Sequence, residues 1–224
     1  MKIGTDGVLL GAWANIAQAS SILDIGTGTG VLALMAAQRQ PTAMIHALEI
    51  NAAAQEQAHN NFAQSPWKER LQLLPYSIQD YLLSTPSILY DSLICNPPYY
   101  PSEQNSFIQK EARRQARSTV TLDFTTLLTA AKTLLAPDGN FSLILPTQEA
   151  QQFLTIAIKQ GWWIAQEIAV IPREGKASNR VLLELKQKSC TKISQTLTLR
   201  PQKGDKSKYS AAFEVLHRDF LLFL

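Results

Sequence analysis

A glycine-rich turn occupies residues 23–30, which read Leu23-Asp24-Ile25-Gly26-Thr27-Gly28-Thr29-Gly30. An apolar segment typical of a buried strand, 21–25, leads into the turn, and an apolar helical pattern over 31–39 follows it. Glycines in such a turn permit positive φ angles and let a ligand lie against the backbone. In an open α/β sheet, ligands bind in the crevice at the carboxyl ends of the strands. The turn therefore predicts an α/β fold with a ligand site beside it.

Strand and helix patterns alternate along the chain on both sides of this turn. The predicted strands are 21–25, 44–49, 71–74, 90–95, 141–145, 162–171 and 181–186. Predicted helices cover 31–39, 51–64, 124–135, 148–160 and 209–216, and Pro137-Asp138-Gly139 predicts a turn. Strands separated by helices imply a parallel sheet that is covered on both faces, and the last two strands can pair as a hairpin. We therefore expect a doubly wound, mostly parallel seven-stranded sheet with an antiparallel terminal hairpin.

Glu49 ends the second predicted strand, where its carboxylate can accept hydrogen bonds from both hydroxyl groups of a ribose. The spacing after Asp24 is G-x-G-x-G, whereas the dinucleotide fingerprint is G-x-G-x-x-G. An acidic residue here would repel a pyrophosphate but suits a cationic ligand. These features favour S-adenosylmethionine over NAD, and the alternative is a glycine turn that binds no ligand.

The tetrapeptide Asn96-Pro97-Pro98-Tyr99 leaves the fourth predicted strand at the same sheet edge. Consecutive prolines have no backbone N–H and leave their carbonyl oxygens as acceptors. The asparagine adds a side-chain acceptor and the tyrosine adds a flat ring. This combination suits a planar amine such as N6 of adenine, and the alternative is a proline turn that simply ends a strand.

Methyl transfer to such an amine depends on orientation and electrostatics, because the sulfonium donor is already activated. No strong general base is required, so His46, His59 and His217 are expected to be structural or exposed. Neither cysteine, Cys95 or Cys190, has a Cys or His partner at metal-ligand spacing, and no metal site is expected.

Charge is distributed unevenly along the chain. The whole chain carries a formal charge of +3, whereas residues 1–100 carry −3, residues 101–224 carry +6, and the segment 173–208 alone carries +7. Such asymmetry predicts that the C-terminal part contacts a polyanion. The alternative is a solvated, lysine-rich surface.

The composition excludes several protein classes. A hydrophobic fraction of 46% with 17% charged residues excludes a disordered or fibrous chain. Two cysteines are too few for a disulfide scaffold, and no apolar run approaches the roughly 20 residues of a membrane helix. The N-terminal stretch 8–19 is too short for a convincing signal peptide, so a cytoplasmic location is expected.

With these motifs, the sequence resembles the class I S-adenosylmethionine-dependent methyltransferases that carry Asn-Pro-Pro-Tyr, which act on adenine N6 or glutamine N5. Its flanks resemble the bacterial tRNA adenine-N6 methyltransferases over nearly the whole chain. The flanking segments that carry this resemblance are 2–13, 64–67, 96–100, 114–117, 180–183 and 209–223. The resemblance implies a Rossmann-like methyltransferase fold and methylation of a tRNA adenine, at position 37 of tRNA1(Val).

The resemblance also implies roles for individual residues. The expected cofactor-binding residues are Thr5, Asp6, Asp24, Gly26, Gly28, Gly30, Glu49, Ile50, Ser77 and Ile78. The expected catalytic residues, which hold the target base, are Asn96, Pro97, Pro98 and Tyr99. The expected RNA contacts are Tyr100, Arg113, Arg114, Arg117 and Arg180.

We expect one domain over 1–224, with a cofactor-lining segment at 1–20, a substrate loop at 101–121 and a basic extension at 187–224. Two features depart from the family pattern. Ser77 stands where related enzymes carry an acid that contacts the cofactor adenine, with Asp80 three residues later. An aromatic and basic segment usual in the family is missing before Met1, which suggests a truncated start or a weakened lid.

Three other functions are compatible with parts of the sequence. A glutamine amide in a release factor also offers two N–H bonds to the tetrapeptide, but such enzymes usually carry a separate N-terminal helical domain. DNA adenine methyltransferases usually add a large recognition domain. A non-catalytic nucleotide- or RNA-binding module would have no need of Asn96.

Overall fold

The structure is a computed structural model that describes residues 4–84, 87–97, 123–201 and 209–220. Its helices are α1 (Thr5–Trp13), α2 (Val31–Arg39), α3 (Ala52–Gln64), α4 (Ile78–Leu83), α5 (Phe124–Leu134), α6 (Thr147–Lys159) and α7 (Ala211–His217). Its strands are β1 (Ser21–Ile25), β2 (Met44–Leu48), β3 (Leu71–Leu74), β4 (Tyr90–Cys95), β5 (Leu135–Pro146), β6 (Trp163–Ile171), β7 (Arg180–Lys186) and β8 (Ile193–Thr198). The predicted substrate loop 101–121 lies outside the described residues, as do Pro98, Tyr99, Tyr100, Arg113, Arg114 and Arg117.

All eight strands form one sheet in the order β3-β2-β1-β4-β5-β7-β6-β8. The strands β3, β2, β1, β4 and β5 are parallel to one another, and β7 runs antiparallel to both β5 and β6. This arrangement confirms the predicted α/β class, the mostly parallel sheet and the antiparallel hairpin.

The prediction of seven strands was wrong, because β8 adds an eighth. This strand pairs in parallel with β6, from Gln166↔Ile193 to Ile171↔Thr198, inside the segment that was expected to be a basic extension. Its residues are mostly exposed, so it carries little of the apolar alternation by which a strand is recognised in a sequence. The strand therefore forms through backbone hydrogen bonds to β6 rather than through burial of apolar side chains.

The predicted turn at Pro137-Asp138-Gly139 was also wrong, since these residues lie within β5. The pairing of β4 with β5 jumps from Tyr90↔Leu135 to Ser92↔Asn140, so the extra residues of β5 form an irregularity in the ladder. A Cβ atom at Gly139 would lie 2.9 Å from the Asp91 carbonyl oxygen. The glycine therefore serves a close backbone approach within the strand, one of the uses of glycine in sheets.

Helices cover both faces of the sheet, as expected for a doubly wound fold. One core packs α4, α5 and α6 against the sheet through side chains such as Tyr81, Leu127 and Phe153. The other core packs α1, α2, α3 and α7 through side chains such as Leu10, Phe62 and Phe213. None of the helices in the described residues is long and apolar enough to cross a membrane.

The N-terminal helix α1 was not predicted, because Gly7 and Gly11 lower its intrinsic helix propensity. Tertiary packing explains why the helix forms. A Cβ atom at Gly11 would lie 2.5 Å from Met35 Sδ, so the glycine lets α1 approach α2 closely. Arg39 Nη1 donates to the carbonyl oxygens of Gly11 and Ala14 at 2.8 Å each and satisfies the end of the helix.

Candidate active site

The carboxyl ends of the central strands bring the predicted motifs together. Ile25 at the end of β1 is in register with Leu48 of β2 and with Cys95 of β4. The residues that follow these three positions are therefore neighbours at one edge of the sheet. This edge collects the glycine turn, Glu49 and Asn96, as the sequence predicted.

The glycine turn has the backbone conformation that only glycine adopts readily. Gly26, Gly28 and Gly30 have φ angles of 73°, 59° and 86°, in the left-handed region. Thr27 N donates to the Leu48 carbonyl oxygen at 2.8 Å, which fixes the turn against the end of β2. A Cβ atom at Gly26 would meet nothing within 4 Å, so open space lies in front of the turn.

Glu49 is held rigidly beside this turn by backbone N–H groups. Its Oε2 accepts from Gly28 N at 2.8 Å, and its Oε1 accepts from Ile50 N at 2.9 Å and from Asn51 N at 2.8 Å. A carboxylate has about four acceptor positions on its two oxygens, so capacity for a further donor remains. The side chain is partly exposed, and its expected hydrogen bonds to ribose hydroxyl groups stay a prediction.

Asp24 lies beneath the turn rather than on its open face. Its carboxyl group is 0% exposed, and Oδ2 accepts from Thr27 Oγ1 at 2.5 Å. Its Oδ1 is buried without a hydrogen-bond partner among the described residues. Burial raises the pKa of Asp24 to about 7. The expected contact between this side chain and a cofactor stays a prediction.

The region after β3 contains the residues expected to meet the adenine of a cofactor. Ser77 caps α4, because its Oγ accepts from Asp80 N at 3.0 Å and donates to Asp80 Oδ2 at 2.6 Å. The sequence left open which residue takes the place of the acid that related enzymes carry at the position of Ser77. In the structure, the Asp80 carboxylate contacts Ser77 at the start of α4. Ile78 is only 3% exposed, whereas Ile50 is 45% exposed and presents an apolar side chain at the surface.

Asn96 directly follows β4, and its side chain approaches α1. A Cβ atom at Gly7 would lie 3.8 Å from Asn96 Nδ2. Asn96 Oδ1 is buried and has no hydrogen-bond partner within the part of the chain that the structure describes. A buried, unsatisfied acceptor is costly in a native fold and needs an explanation. A ligand donor at this position would supply one. The following residue, Pro97, is buried.

Sequence reasoning did not foresee how α1 takes part in the site. Thr5 is the first residue of this helix and is exposed, and Asp6 forms an ion pair with Arg180 at 2.7 Å. The structure pairs these two side chains with each other. A contact of Asp6 with the cofactor and a contact of Arg180 with RNA stay predictions. The close passage of Gly7 past Asn96 depends on tertiary packing that no sequence motif signals.

Cys95 lies next to Asn96 but is not a candidate nucleophile. Burial and the nearby charge of Asp24 raise the pKa of the thiol well above its ordinary value, and Sγ donates to the Ile25 carbonyl oxygen at 3.2 Å. Only a thiolate is a strong nucleophile. Among the described residues, His, Cys, Asp and Glu form no group of three or more that could hold a metal ion.

The acidic groups at this sheet edge fit a cationic nucleoside cofactor better than a pyrophosphate. Glu49 directly follows β2, Asp80 lies in the first turn of α4 after β3, and the buried Asp24 lies in β1 beneath the glycine turn. Glu49 is preorganised to accept hydrogen bonds, and the space in front of Gly26 is open. S-adenosylmethionine combines ribose hydroxyl groups with a sulfonium cation, and both suit this edge.

Comparisons with known proteins agree with this geometry. Residues 4–166 match the family model of the methyltransferase small domain. A tRNA1(Val) (adenine(37)-N6)-methyltransferase of Pectobacterium carotovorum is 41% identical over 225 residues, which span 100% of this chain and 88% of that protein. The protein of the same name from Vibrio campbellii is 42% identical over 222 residues, which span 99% and 89% of the two chains.

Solved structures show the same Rossmann-like methyltransferase fold. A predicted O-methyltransferase from Agrobacterium tumefaciens superposes with a TM-score of 0.70 at 17% identity, with 96% of each chain covered. A glycopeptide N-methyltransferase in complex with S-adenosyl-L-methionine superposes with a TM-score of 0.59 at 13% identity, with 84% of this chain and 90% of that chain covered. At these identities the likeness concerns the fold alone.

Proposed function

The chain belongs to the methyltransferase small domain family, and we propose that it transfers a methyl group from S-adenosylmethionine to N6 of a tRNA adenine. The relatives from Pectobacterium and Vibrio are named for this reaction at adenine 37 of tRNA1(Val). We propose the same position for this enzyme, acting on tRNA in the cytoplasm. The observation that carries the proposal is the buried Asn96 Oδ1, which has no hydrogen-bond partner among the described residues and lies at the sheet edge that holds Glu49.

The donor side of the site uses the edge formed by β1, β2 and β3. When bound, S-adenosylmethionine supplies a methyl group that its sulfonium centre has already activated. Glu49 binds the ribose hydroxyl groups, and Gly26, Gly28 and Gly30 let the backbone approach the ligand closely. Ile50, Ser77 and Ile78 border the adenine end, where Asp80 supplies a carboxylate. Thr5, Asp6 and Asp24 border the methionine end.

The acceptor side of the site is the segment that begins at Asn96. The lone pair of adenine N6 is delocalised into the ring, which makes the amine a poor nucleophile. Asn96 Oδ1 accepts one N6–H and the Pro97 carbonyl oxygen accepts the other, so that the nitrogen turns its lone pair toward the methyl group. Pro98 and Tyr99 complete this pocket in the proposal. The proton leaves for water after transfer, and no side-chain base is needed.

The proposed substrate limits the cost of reaching the base. An anticodon-loop adenine is already largely unpaired, so moving it into the pocket costs little compared with extracting a base from a duplex. The backbone around it carries phosphates, for which Tyr100, Arg113, Arg114, Arg117 and Arg180 are proposed contacts.

The described part of the proposed C-terminal extension packs against the methyltransferase fold. Strand β8 is paired with β6, and Phe213 of α7 is 2% exposed within the core that also contains α1. These contacts support the proposal of a single domain over residues 1–224. Within it, we propose that residues 1–20 line the cofactor and that residues 101–121 contact the substrate.

Methyl transfer from tritiated S-adenosylmethionine into total tRNA tests the function. Nucleoside analysis of the product should find N6-methyladenosine, and a release factor offered in parallel should stay unlabelled. Labelled glutamine in the release factor, with unlabelled tRNA, would replace this proposal by the glutamine alternative.

The Asn96→Ala variant tests the mechanism in the same assay. Loss of one oriented polar group in an active site typically lowers kcat by about 10²- to 10³-fold, and we expect a loss of that size with cofactor affinity unchanged. Asn60→Ala, at an exposed position of α3, is the matched control and should keep full activity. Full activity of Asn96→Ala would overturn the mechanism.

A further inference from the structure

The sheet divides the described part of the basic segment, residues 173–201, between two opposite edges. Strand β6 runs in the same direction as β4 and β5, because both β5 and β6 are antiparallel to β7. The loop 172–179 after β6 therefore lies at the carboxyl edge that holds Asn96. Strand β7 returns to the far edge, and the parallel strand β8 brings the chain back to Arg200 at the carboxyl edge.

Three basic residues at the carboxyl edge belong to segments that are tied together by hydrogen bonds. We call these residues, Arg173, Lys176 and Arg200, the basic rim. Glu174 N donates to the Arg200 carbonyl oxygen at 2.9 Å, and Arg173 Nη1 donates to the Pro201 carbonyl oxygen at 3.2 Å. Gly175 takes a φ of 79° and forms the turn between Arg173 and Lys176. The end of β8 and the β6–β7 loop thus hold each other in place.

The Arg200 guanidinium is also oriented by the aromatic ring of Tyr209. Its Cζ lies 4.1 Å from the centroid of the Tyr209 ring, and Tyr209 stacks on Phe213 with a centroid distance of 4.2 Å. A cation over an aromatic face is attracted by the ring and loses mobility. The C-terminal helix, through Phe213 in the core, therefore supports one of the three cations of the basic rim.

The lysines at the far edge have a different environment. Lys188 forms an ion pair with Asp138 at 2.5 Å, and Lys192 forms one with Glu167 at 2.6 Å. Both side chains remain partly exposed, at 60% and 48%. They carry the same charge in the same stretch of sequence, yet Lys192 precedes Arg200 by eight residues, which is about 26 Å of backbone at ~3.3 Å per residue. Lys188 lies beyond the end of β7 that faces away from the basic rim.

The basic rim lies within reach of an RNA strand whose target base is in the pocket. Neighbouring strands are about 4.8 Å apart, so β6 lies about 14 Å and β8 about 19 Å from β4 along the sheet edge. A few nucleotides of an RNA backbone span this distance. Strands β5 and β7 also extend past the end of β4 on the side of the basic rim, because Pro146 and Arg180 pair three residues beyond the row of Cys95 and Leu143.

We propose that the basic rim binds the backbone phosphates of the RNA strand next to the methylated adenine, and that Lys188 and Lys192 do not. This inference rests on the proposed function and divides the basic segment by edge. Arg173 and Arg200 have guanidinium groups suited to phosphate oxygens, and Lys176 is exposed at the tip of the loop. Glu174 is the one carboxylate of the loop and leaves the rim with a net positive charge.

The test compares Lys176→Gln with Lys188→Gln and Lys192→Gln, because Arg173 and Arg200 also have structural contacts. Binding of tRNA is measured over a range of salt concentrations, together with affinity for S-adenosylmethionine. For Lys176→Gln we expect roughly three- to tenfold weaker tRNA binding and a salt slope that is shallower by about 1. Lys176→Glu should weaken binding further, and both far-edge variants should bind tRNA like the unmodified enzyme.

The outcomes separate this inference from the proposed function. Failure of the unmodified enzyme to methylate tRNA would overturn the function and the inference together. If that enzyme methylates tRNA but Lys176→Gln and Lys176→Glu bind it unchanged, the inference alone is overturned. Equal weakening by Lys176→Gln and the far-edge variants would also overturn it, since the contribution would then come from net charge. Unchanged cofactor affinity shows that the variants remain folded.

Discussion

Asp6 Oδ2 accepts a hydrogen bond from Arg180 Nε at 2.7 Å, which ties the N-terminal helix to the first residue of β7. The next residue of that helix is Gly7, which passes Asn96 closely enough that a Cβ atom would lie 3.8 Å from Nδ2. The ion pair therefore helps to set how α1 lies over the proposed acceptor site. Both partners are mostly buried, at 20% and 25% exposure.

We predict that Asp6→Asn and Arg180→Gln each lower the free energy of unfolding by about 0.2–1 kcal/mol, the usual range for an ion pair that keeps contact with solvent. The double variant should lose little more than either single variant, since each change already removes the attraction between the two charges. Both single variants should also lower kcat to a similar extent, because each loosens α1. Urea denaturation and methyl-transfer kinetics measure these effects.

Additive losses in the double variant would show that the two residues act separately. A loss of cofactor affinity in Asp6→Asn that Arg180→Gln does not share would instead favour a direct contact between Asp6 and the cofactor.

The sequence predicts the centre of this fold better than its margins. Strands β1, β2 and β4 are buried, and their predicted apolar runs and the positions of Gly26, Glu49 and Asn96 directly after them are confirmed. Local rules sufficed there because the backbone geometry of a βα turn requires particular residues.

The elements that were missed depend on contacts between distant parts of the chain. Helix α1 contains two glycines and forms because Gly11 fits against Met35. Strand β8 is mostly exposed and forms by pairing with β6. The Pro137-Asp138-Gly139 stretch has turn residues but continues a strand. In each case tertiary packing overrides the local preference.

Replacement of Glu49 by Gln should weaken cofactor binding by about 10- to 100-fold, the effect of losing roughly 1.5–3 kcal/mol of charge-assisted hydrogen bonding. The Gln side chain keeps one acceptor oxygen, so its NH₂ group must face either the Gly28 N–H or the N–H groups of Ile50 and Asn51, from which the carboxylate now accepts on both oxygens. Isothermal titration with S-adenosylmethionine measures the change. Glu56→Gln, at an exposed position of α3, is the matched control, and equal affinities in the two variants would contradict a ribose-binding role for Glu49.

Asp24 should make the stability of the protein depend on pH. Burial raises its pKa to about 7, so between about pH 4 and about pH 7 the folded protein retains a proton that the unfolded chain releases. Stability from this group is complete below about pH 4 and is lost as the pH rises, with a slope of up to about 1.4 kcal/mol per pH unit.

The variant Asp24→Asn removes this titration, while its amide oxygen can still accept from Thr27 Oγ1. Relative to the unmodified protein, it should become progressively more stable as the pH rises from about 4 to about 7, and the difference should level off above that. Urea denaturation at a series of pH values measures the difference, and Glu56→Gln serves as an exposed control. A difference that stays constant with pH would contradict the burial effect on Asp24.

The glycines of the turn should respond differently to the same small substitution. Gly26 and Gly30 both have positive φ angles, but a Cβ atom would meet open space at Gly26 and would lie 2.5 Å from Phe62 Cε1 at Gly30. Gly26→Ala should therefore cost about 1–2 kcal/mol of backbone strain, while its methyl group projects into the space proposed for the cofactor and lowers affinity. Gly30→Ala adds overpacking of about 1–3 kcal/mol against the core, so it should be the less stable of the two.

Thermal unfolding with and without S-adenosylmethionine separates these effects, since the ligand should stabilise Gly26→Ala less than the unmodified protein. If the ligand stabilises Gly26→Ala as much as the unmodified protein, the cofactor does not approach Gly26.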